Sequence, residues 1–392
     1  MPWKEQTMEQ QRKEFVHRVE RGEISKSALC REFGISRPTG DKWIGRYQRG
    51  ETMENQSKAP FHSPNRTAAT TEEKIIALRN KHPALGAKKI KKILENKGEA
   101  APAYSTINAI LHRNGLITKE ASLAATPCIR FEKARPNEMW QADFKGHFGM
   151  KNGNRCHPLT IVDDHSRYCV CLDAKENERY PETRASFERV FERYGLPETI
   201  LCDNGNPWGT AQSVGYSRFE VWLMDLGILT RHGRIMHPQT QGKDERFNGT
   251  LLRELIRYRA YEDYIHAQSD FDEWRCFYNE ERPHHALNLG VPVDRYQEST
   301  RKLPRRIDEW VYEPDTEMKK VKNSGYLTLR GQGYFLSEAF GGKMVGLIEN
   351  MHEHGEFLVL YRQFCVAKLN VDDRVVLARK AFFCNHVFRE NV

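Results

Sequence analysis

The sequence predicts a multidomain protein with two all-α modules at the N-terminal end, a central α/β domain and a small antiparallel β domain at the C-terminal end. Three observations predict this order. Helix caps and helical apolar spacing dominate residues 7–115, a hairpin followed by alternating helices and strands fills residues 137–300, and short strands between Gly or polar turns fill residues 310–384. At 392 residues the chain is long enough for several separate cores.

The first module, residues 1–50, has the pattern of a helix-turn-helix. Three short helices are predicted, with Ser25 and Ser36 at helix starts and Gly34 in the turn between them. The third helix fits the major groove of DNA, where Arg and Lys bind guanine edges or phosphates. The side chains expected on its exposed face are Arg37, Thr39, Lys42, Arg46 and Arg49. The alternative is a small helical module that binds another protein.

A polar linker at residues 51–70 leads to a second three-helix unit at residues 71–117, and an irregular linker follows at residues 118–136. This unit also resembles a helix-turn-helix. Its middle helix is rich in lysine, and we expect Lys88 and Lys89 to contact DNA. Two reading modules joined by a short linker lengthen the DNA site and raise the effective concentration of each module.

The positive charge is concentrated in this N-terminal third. The formal net charge is +8; residues 1–120 contain 23 Lys and Arg against 14 Asp and Glu, whereas the rest contains 38 against 39. This distribution favours a polyanion as the partner of the N-terminal modules, although basic helices are also common as solvated surfaces. The sequence has neither an apolar run of membrane-helix length nor the apolar core of a signal peptide, so we expect no membrane partner and a cytoplasmic location.

Three acidic side chains of the central domain stand at the ends of predicted elements. Asp143 lies on an alternating strand whose apolar residues point the other way, and Asp203 follows a short apolar strand. Glu245 lies in the first turn of a helix, off the apolar stripe of that helix. Carboxylates that converge without cations repel one another, so a cluster of these three implies a bound divalent metal.

The sequence around these acids resembles the catalytic core of bacterial insertion-sequence transposases, a retroviral-integrase-like group with a DDE acid triad on a ribonuclease-H-like fold. The resemblance rests on Trp-Gln-Ala-Asp-Phe-Lys-Gly at 140–146, Cys-Asp-Asn-Gly at 202–205, His-Pro-Gln-Thr-Gln-Gly-Lys-Asp-Glu-Arg-Phe-Asn-Gly-Thr at 237–250 and Tyr-Asn-Glu-Glu-Arg-Pro-His-His-Ala-Leu at 278–287. It covers residues 130–300 closely and implies an integrase-type catalytic core at 137–300. The implied catalytic and metal-binding triad is Asp143, Asp203 and Glu245, with Asp244 as the competing choice for the third acid.

The resemblance also implies a function. It indicates a DDE transposase, a polynucleotidyl transferase that binds the terminal inverted repeats of its insertion sequence and catalyses metal-dependent DNA cleavage and strand transfer. Two Mg²⁺ ions are implied, with Mn²⁺ as a substitute, and the expected partners are double-stranded DNA and further copies of the chain, close to the nucleoid. Two alternatives stay open: a domesticated, catalytically silent DNA-binding regulator, and a metal-dependent nuclease without site preference.

Several neighbours of the triad have two interpretations. Lys243 and Arg246 flank Glu245 and are predicted to hold phosphates of the DNA, or else to form a solvated helix face. Asp163 and Asp164 are rival metal ligands, although Asp-Asp between two strands is ordinarily turn chemistry. The other residues in question are His237 and Gln241, as contacts of the DNA end or turn residues, and Trp208, as a base-stacking residue or a buried anchor.

The C-terminal part changes character after a basic linker at residues 301–309. Short strands at residues 310–392 suggest a small antiparallel barrel that resembles the SH3-like C-terminal domains of integrases. DNA contact, oligomerisation and plain packing are all open roles for it. The nine cysteines of the chain include no Cys-x-x-Cys pair, which favours reduced thiols over disulfides or a zinc finger.

Overall fold

The computed structural model describes residues 7–22, 24–55, 67–117, 132–209, 215–233, 242–314, 316–350, 353–378 and 381–384. The chain divides into two compact units, Met1–Arg66 and Thr67–Val392. No helix in these stretches has the length and apolar character needed to cross a membrane. The cysteines within the same stretches are all free thiols, as the sequence predicts.

The first unit is the predicted three-helix module. Its helices are α1 (Met8–Glu20), α2 (Lys26–Glu32) and α3 (Arg37–Gln48). The hydroxyl groups of Ser25 and Ser36 accept hydrogen bonds from backbone N–H groups at the starts of α2 and α3, as expected for helix caps. Gly34 has a φ of +63° in the turn between these helices, a conformation that favours glycine. The core of the unit consists of Phe15, Val16, Leu29, Cys30, Trp43 and Met53.

The second unit is built on a mixed sheet with helices on both faces. Strand β3 pairs antiparallel with both β1 and β4, the short β2 also pairs with β3, and β1, β5 and β6 run parallel to one another. The strands are β1 (Met139–Phe144), β2 (Phe148–Gly149), β3 (Arg155–Asp163), β4 (Cys169–Lys175), β5 (Thr199–Cys202) and β6 (Leu229–His232). The helices of this unit are α4 (Ala69–Lys81), α5 (Ala87–Asn96), α6 (Tyr104–Arg113), α7 (Tyr180–Tyr194), α8 (Arg218–Asp225), α9 (Gly242–Glu254) and α10 (Tyr264–Cys276).

Each face of the sheet has its own core. On one face, Trp140 and Ala142 of β1 pack with Phe187 of α7 and Trp222 of α8. On the other face, residues of β3 and β4 pack with Phe247 and Leu251 of α9 and with Phe271 and Trp274 of α10. Because side chains alternate along a strand, the packing of Trp140 and Ala142 against α7 and α8 turns Asp143 towards the α9 side.

The three helices α4, α5 and α6 share the α9 and α10 core. Ile90 of α5 and Ile107 of α6 belong to the same buried cluster as Phe247 and Trp274. The ring of His82 stacks on Phe277 with 3.6 Å between ring centroids. Two ion pairs join the module to the core, Lys81–Glu273 at 3.0 Å and Lys97–Glu281 at 2.8 Å. The second helical module is therefore packed onto the central domain, which the sequence does not predict.

The outer edge of β4 is covered by side-chain amides. Asn279 accepts a hydrogen bond from the Cys169 N–H at 2.8 Å and donates to the Cys169 carbonyl at 3.0 Å. Gln268 accepts from the Ala174 N–H at 2.8 Å and donates to the Leu172 carbonyl at 3.1 Å. These two side chains bind backbone groups that β4 does not share with β3, and they take the place of strand partners for those groups.

The C-terminal part is rich in short strands, as predicted, but the predicted closed barrel is not confirmed. A six-stranded sheet has the order β13-β12-β11-β10-β7 with β14 added to β12, while β8 and β9 form a separate hairpin, and both sheets are open within the described residues. The strands are β7 (Glu317–Lys320), β8 (Tyr326–Leu329), β9 (Gln332–Phe335), β10 (Met344–Glu349), β11 (Glu356–Tyr361), β12 (Phe364–Asn370), β13 (Val375–Ala378) and β14 (Phe382–Phe383).

This C-terminal part docks on α8 of the central domain. The carboxylate of Asp225, at the end of α8, accepts a hydrogen bond from the Tyr361 hydroxyl and lies 2.8 Å from the Lys343 ammonium and 3.4 Å from the Arg362 guanidinium. The hydroxyl of Tyr216 donates to the Val366 carbonyl at 2.6 Å. Packing within the chain is thus one established role of the C-terminal strands.

Candidate active site

Asp143 and Asp203 stand side by side at the ends of two neighbouring parallel strands. The register of β1 and β5 pairs Trp140 with Ile200 and Gln141 with Leu201. The same register places Asp143, near the end of β1, opposite Asp203, which directly follows β5. The carboxyl ends of parallel strands are a common position for ligand-binding side chains because the strand directs them to one edge of the sheet.

The pKa of Asp143 is strongly raised. Burial, together with the neighbouring carboxylate of Asp203, raises the pKa of Asp143 to about 7. The amide of Asn248, on α9, donates a hydrogen bond to the Asp143 carboxylate at 2.8 Å. Asp203 is held by its own turn, because its carboxylate accepts from the Gly205 N–H at 2.9 Å.

The first turn of α9 presents two adjacent acids in different environments. Asp244 is only 2% exposed, and neither of its carboxylate oxygens has a hydrogen-bond partner among the described residues. Burial and the nearby Asp143 raise its pKa well above the ordinary value. Glu245 is exposed. At about 100° per residue, Asn248 lies between the two around the helix, about 40° from Asp244 and about 60° from Glu245, so Glu245 occupies the solvent side of the face that contacts Asp143.

The structure therefore brings Asp143, Asp203 and Asp244 near one another and leaves Glu245 at the open rim. Among the described residues, no group of three or more His, Cys, Asp or Glu side chains is arranged to hold a metal ion. Asp143 and Asp203 nevertheless fit a divalent cation, because they are hard oxygen donors whose mutual repulsion a cation would relieve.

His232 fixes the backbone of Asp203. This histidine ends β6, and its Nδ1 donates to the Asp203 carbonyl at 2.6 Å while its Nε2 donates to the Glu220 carboxylate at 3.0 Å. Both partners only accept hydrogen bonds, so the two contacts require the doubly protonated ring. Burial opposes that charge, but the bonds to Glu220 and Asp203 outweigh it and raise the pKa of His232. Glu220 also accepts from the Ser217 N–H at 2.6 Å as part of a capping box.

The adjacent acids Asp163 and Asp164 are both buried and both occupied within the protein. Asp163 accepts from the Ser166 N–H at 2.7 Å and from the Asn137 N–H at 2.8 Å, which is the turn chemistry expected of it. Asp164 accepts from the Gln141 amide at 2.6 Å and lies 2.5 Å from the Lys243 ammonium. The interpretation as a turn residue is confirmed for Asp163, whereas the Asp164 carboxylate binds groups that are distant in the sequence.

Comparison with known proteins identifies the domains. An integrase core domain model matches residues 133–238, a second integrase core domain model matches residues 226–292, and a helix-turn-helix domain model matches residues 11–60. A 31.7 kDa protein of insertion element IS407 from Burkholderia multivorans is 24% identical over 279 residues, covering 70% of this chain and 91% of that protein. The transposase for transposon Tn552 of Staphylococcus aureus is 26% identical over 263 residues, covering 59% of this chain and 53% of the transposase.

This chain is a homologue of insertion-element transposases and retroviral integrases.

Viral relatives match over a smaller share of their own length. The Gag-Pol polyprotein of baboon endogenous virus is 24% identical over 231 residues, which are 57% of this chain and 12% of the polyprotein. Among solved structures, the HTLV-2 integrase catalytic core domain in complex with magnesium aligns with a TM-score of 0.33 and 20% identity, over 41% of this chain and 97% of that one.

On α9 and α5, the cations predicted to bind DNA differ in accessibility. Arg246 is exposed on the first turn of α9. Lys243 is directed inward to Asp164, and its side chain is only 15% exposed. On α5, Lys88 is exposed with its ammonium 5.6 Å from the ring of Tyr104. Lys89 is largely enclosed, and burial together with Arg282 lowers its pKa to about 8. The predicted DNA contacts of Lys243 and Lys89 thus fall on side chains that face the protein.

In the helix-turn-helix domain, Arg37 and Lys42 are exposed on α3. The Thr39 hydroxyl lies 2.9 Å from the Ser36 hydroxyl at the helix start. Arg46 is directed differently: its guanidinium lies 5.0 Å from the ring of Trp43 and donates to the Glu54 carbonyl at 3.2 Å. Arg46 lies at i+3 from buried Trp43 and therefore shares its side of the helix rather than the exposed face.

Three residues that contact the acids or their neighbours were absent from the sequence-based candidates. Asn248 lies at i+3 from Glu245, and this helical spacing is a signal that would have identified it. Gln141 lies at i−2 from Asp143 on the same face of β1, and this spacing would have identified it in the same way. His232 carries no comparable signal. Trp208 is buried, as the anchor interpretation predicts, and His237 and Gln241 lie outside the described residues.

Proposed function

We propose that this protein is a DNA transposase that binds the terminal inverted repeats of its insertion sequence and catalyses metal-dependent cleavage and strand transfer. The observation that supports this most is the meeting of Asp143 and Asp203 at the ends of parallel strands, with Asn248 of α9 bonded to Asp143. Homology to transposases and a helix-turn-helix domain ahead of the core support the choice of DNA as substrate.

In this proposal Asp143, Asp203 and Glu245 hold two Mg²⁺ ions, for which Mn²⁺ substitutes. Bound divalent ions supply activation of the attacking oxygen and stabilisation of charge on the leaving oxygen. The protein contributes orientation: Asn248 fixes one carboxylate oxygen of Asp143, Gly205 fixes one of Asp203, and His232 holds the Asp203 carbonyl. Glu245, at the rim of the site, would be the third carboxylate of the set.

DNA-end recognition is assigned to the helix-turn-helix domain. Arg37, Thr39 and Lys42 on α3 are the proposed contacts in the major groove, and the exposed Lys88 beside Tyr104 is a proposed contact of the second helical module. We further propose that the protein works as a homo-oligomer on DNA, because an insertion sequence has two ends that must be processed together.

The test is a plasmid transposition assay with Asp203→Asn, alongside gel-shift binding to the terminal repeats. We expect transposition to fall by at least about 10³-fold while end binding stays within about 2-fold, because the carboxylate serves the chemistry rather than recognition. Asp308→Asn, at an exposed position in the connector, is the matched control. Unchanged transposition by Asp203→Asn contradicts the proposal, and end binding without transposition by the native protein indicates a silent regulator.

A further inference from the structure

Asp164 is the centre of a buried polar cluster between three elements of the integrase core. Its carboxylate accepts from the Gln141 amide at 2.6 Å and from the Lys133 N–H at 2.8 Å. The ammonium of Lys243 lies 2.5 Å from a carboxylate oxygen of Asp164 and donates to the Asp164 carbonyl at 3.3 Å. The Asp164 side chain is fully buried, so these contacts replace the water it would otherwise bind.

The partners of Asp164 stand in a particular relation to the acid triad. Gln141 precedes Asp143 by two residues on β1, and Lys243 precedes Glu245 by two residues at the start of α9. Asp164, in the turn between β3 and β4, therefore connects the strand of the first acid to the helix of the third. Its backbone also belongs to this frame, because its N–H donates to the Met139 carbonyl at 2.9 Å.

We propose that Asp164 is a positioning residue that sets Glu245 relative to Asp143 by tying Gln141 to Lys243. This inference rests on the proposed function, since it concerns the same metal site. In this arrangement Lys243 binds the protein's own Asp164 instead of a DNA phosphate. Asp164 supports the metal ligands and is not one of them. The cluster fixes the first turn of α9 from the protein side, while Glu245 on that turn stays exposed to solvent.

The other end of α9 offers a matched control. Glu254 makes a bidentate ion pair with Arg282, with nitrogen–oxygen distances of 2.8 and 2.7 Å, and both side chains are buried. Breaking this pair removes a buried charge contact from the same helix, as at Asp164, but nine residues away from Glu245. Substitution of either Asp164 or Glu254 is therefore expected to lower stability, whereas only substitution of Asp164 is expected to lower metal affinity.

The experiment measures Mn²⁺ binding to the full-length protein by electron paramagnetic resonance, with urea unfolding and terminal-repeat binding as parallel measurements. We expect Asp164→Asn to raise the Mn²⁺ dissociation constant by about 10–100-fold, the usual effect of removing a group that orients metal ligands. Glu254→Gln is expected to lower the unfolding midpoint similarly and to change Mn²⁺ affinity by less than about 3-fold. Lys243→Arg keeps a cation beside Asp164 and should retain most of the affinity, and all three variants should bind terminal repeats normally.

The outcomes separate this inference from the proposed function. Asp143→Asn reports on the metal site itself: if it binds Mn²⁺ as well as the native protein does, both proposals fail. If Asp143→Asn loses binding but Asp164→Asn retains it, only the positioning role fails. Equal loss of affinity in Asp164→Asn and Glu254→Gln also overturns the positioning role, because general loosening of α9 then explains both. A selective loss of DNA affinity in Lys243→Arg contradicts the assignment of Lys243 to Asp164.

Discussion

Lys89 lies beside Arg282, so that two cations from different modules share a largely enclosed space around the carboxylate of Glu254. Lys88, its neighbour on α5, faces solvent beside Tyr104. Adjacent residues of a helix point about 100° apart, so a lysine-rich helix can place one ammonium in water and the next against the protein. This arrangement shows that part of the positive charge of α5 faces the protein, where burial and Arg282 both oppose it.

Replacement of Lys89 by Met is expected to stabilise the protein at pH 7 by about 1–3 kcal/mol, after allowance for its remaining contact with water. The folded-state pKa of about 8 is below the ordinary lysine value of 10.5, so the unfolded chain binds more protons between these values and native stability rises with pH across that window. The variant should lack this rise. Urea unfolding at pH 7 and pH 9.5 measures both effects, with the exposed Lys88→Met as control; a destabilised Lys89→Met contradicts the assignment.

Helix α3 of the helix-turn-helix domain gives a second prediction. Arg37→Ala and Lys42→Ala are each expected to weaken binding to terminal repeats and, for a phosphate contact, to reduce the slope of log affinity against log salt by about 1. Arg46→Ala should instead lower the unfolding midpoint of the domain, because Arg46 holds the Glu54 carbonyl and packs on Trp43. Gel shifts at several salt concentrations and thermal melts separate the two effects. Gln48→Ala, at an exposed position on the same helix, is the control.

The perturbed carboxylate of Asp143 predicts a pH dependence of stability. Its folded-state pKa of about 7 exceeds the ordinary aspartate value of 3.8, so its contribution to stability is fully present below the lower value and is lost as the pH rises through the higher one. Metal-free native protein should lose about 2–4 kcal/mol between pH 4 and pH 7 from this group, and Asp143→Asn should not.

Addition of Mg²⁺ at pH 8 tests whether the same site binds a cation. A cation that binds only the folded state raises its stability, by about 3 kcal/mol at a concentration 100 times the dissociation constant. The melting temperature of the native protein should therefore rise with Mg²⁺, and that of Asp143→Asn should stay constant. An equal rise in both proteins would place the binding ion elsewhere.

The contacts of Asp225 predict that the docking of the C-terminal strands on α8 contributes to stability. Asp225→Asn leaves Lys343 and Arg362 without their common anion and is expected to cost about 2–4 kcal/mol, because the cluster is mostly buried. Limited proteolysis should then release a C-terminal fragment more rapidly. Glu317→Gln, which removes an exposed pair with Lys319, should cost less than about 1 kcal/mol. Equal proteolysis of both variants contradicts the role of Asp225.

Local features of the sequence predict local features of the structure well. The alternation around Asp143 correctly separates Trp140 and Ala142, which are core, from the acid, and the serine caps correctly mark α2 and α3. The turn residue Asp163 also accepts the local hydrogen bond from Ser166 that its position suggests. These features depend on contacts within a few residues, which the sequence contains directly.

Features that depend on distant contacts could not be predicted in this way. Lys89 and Arg282 meet only after the second module packs on α9 and α10, and no spacing in the sequence relates them. Arg46 is drawn away from the exposed face because residues 51–55 return to it. Closure of the C-terminal strands into a barrel depends on which edges pair, whereas the sequence indicates only how many short strands exist.

The amides of Asn279 and Gln268 occupy backbone groups on the rim of β4 that another strand could otherwise use. Where the two amides bond to the strand backbone, an incoming polypeptide cannot pair with it, so this rim is a poor template for extending the sheet into a second copy. A continuous sheet across subunits would carry the risk of fibrous growth.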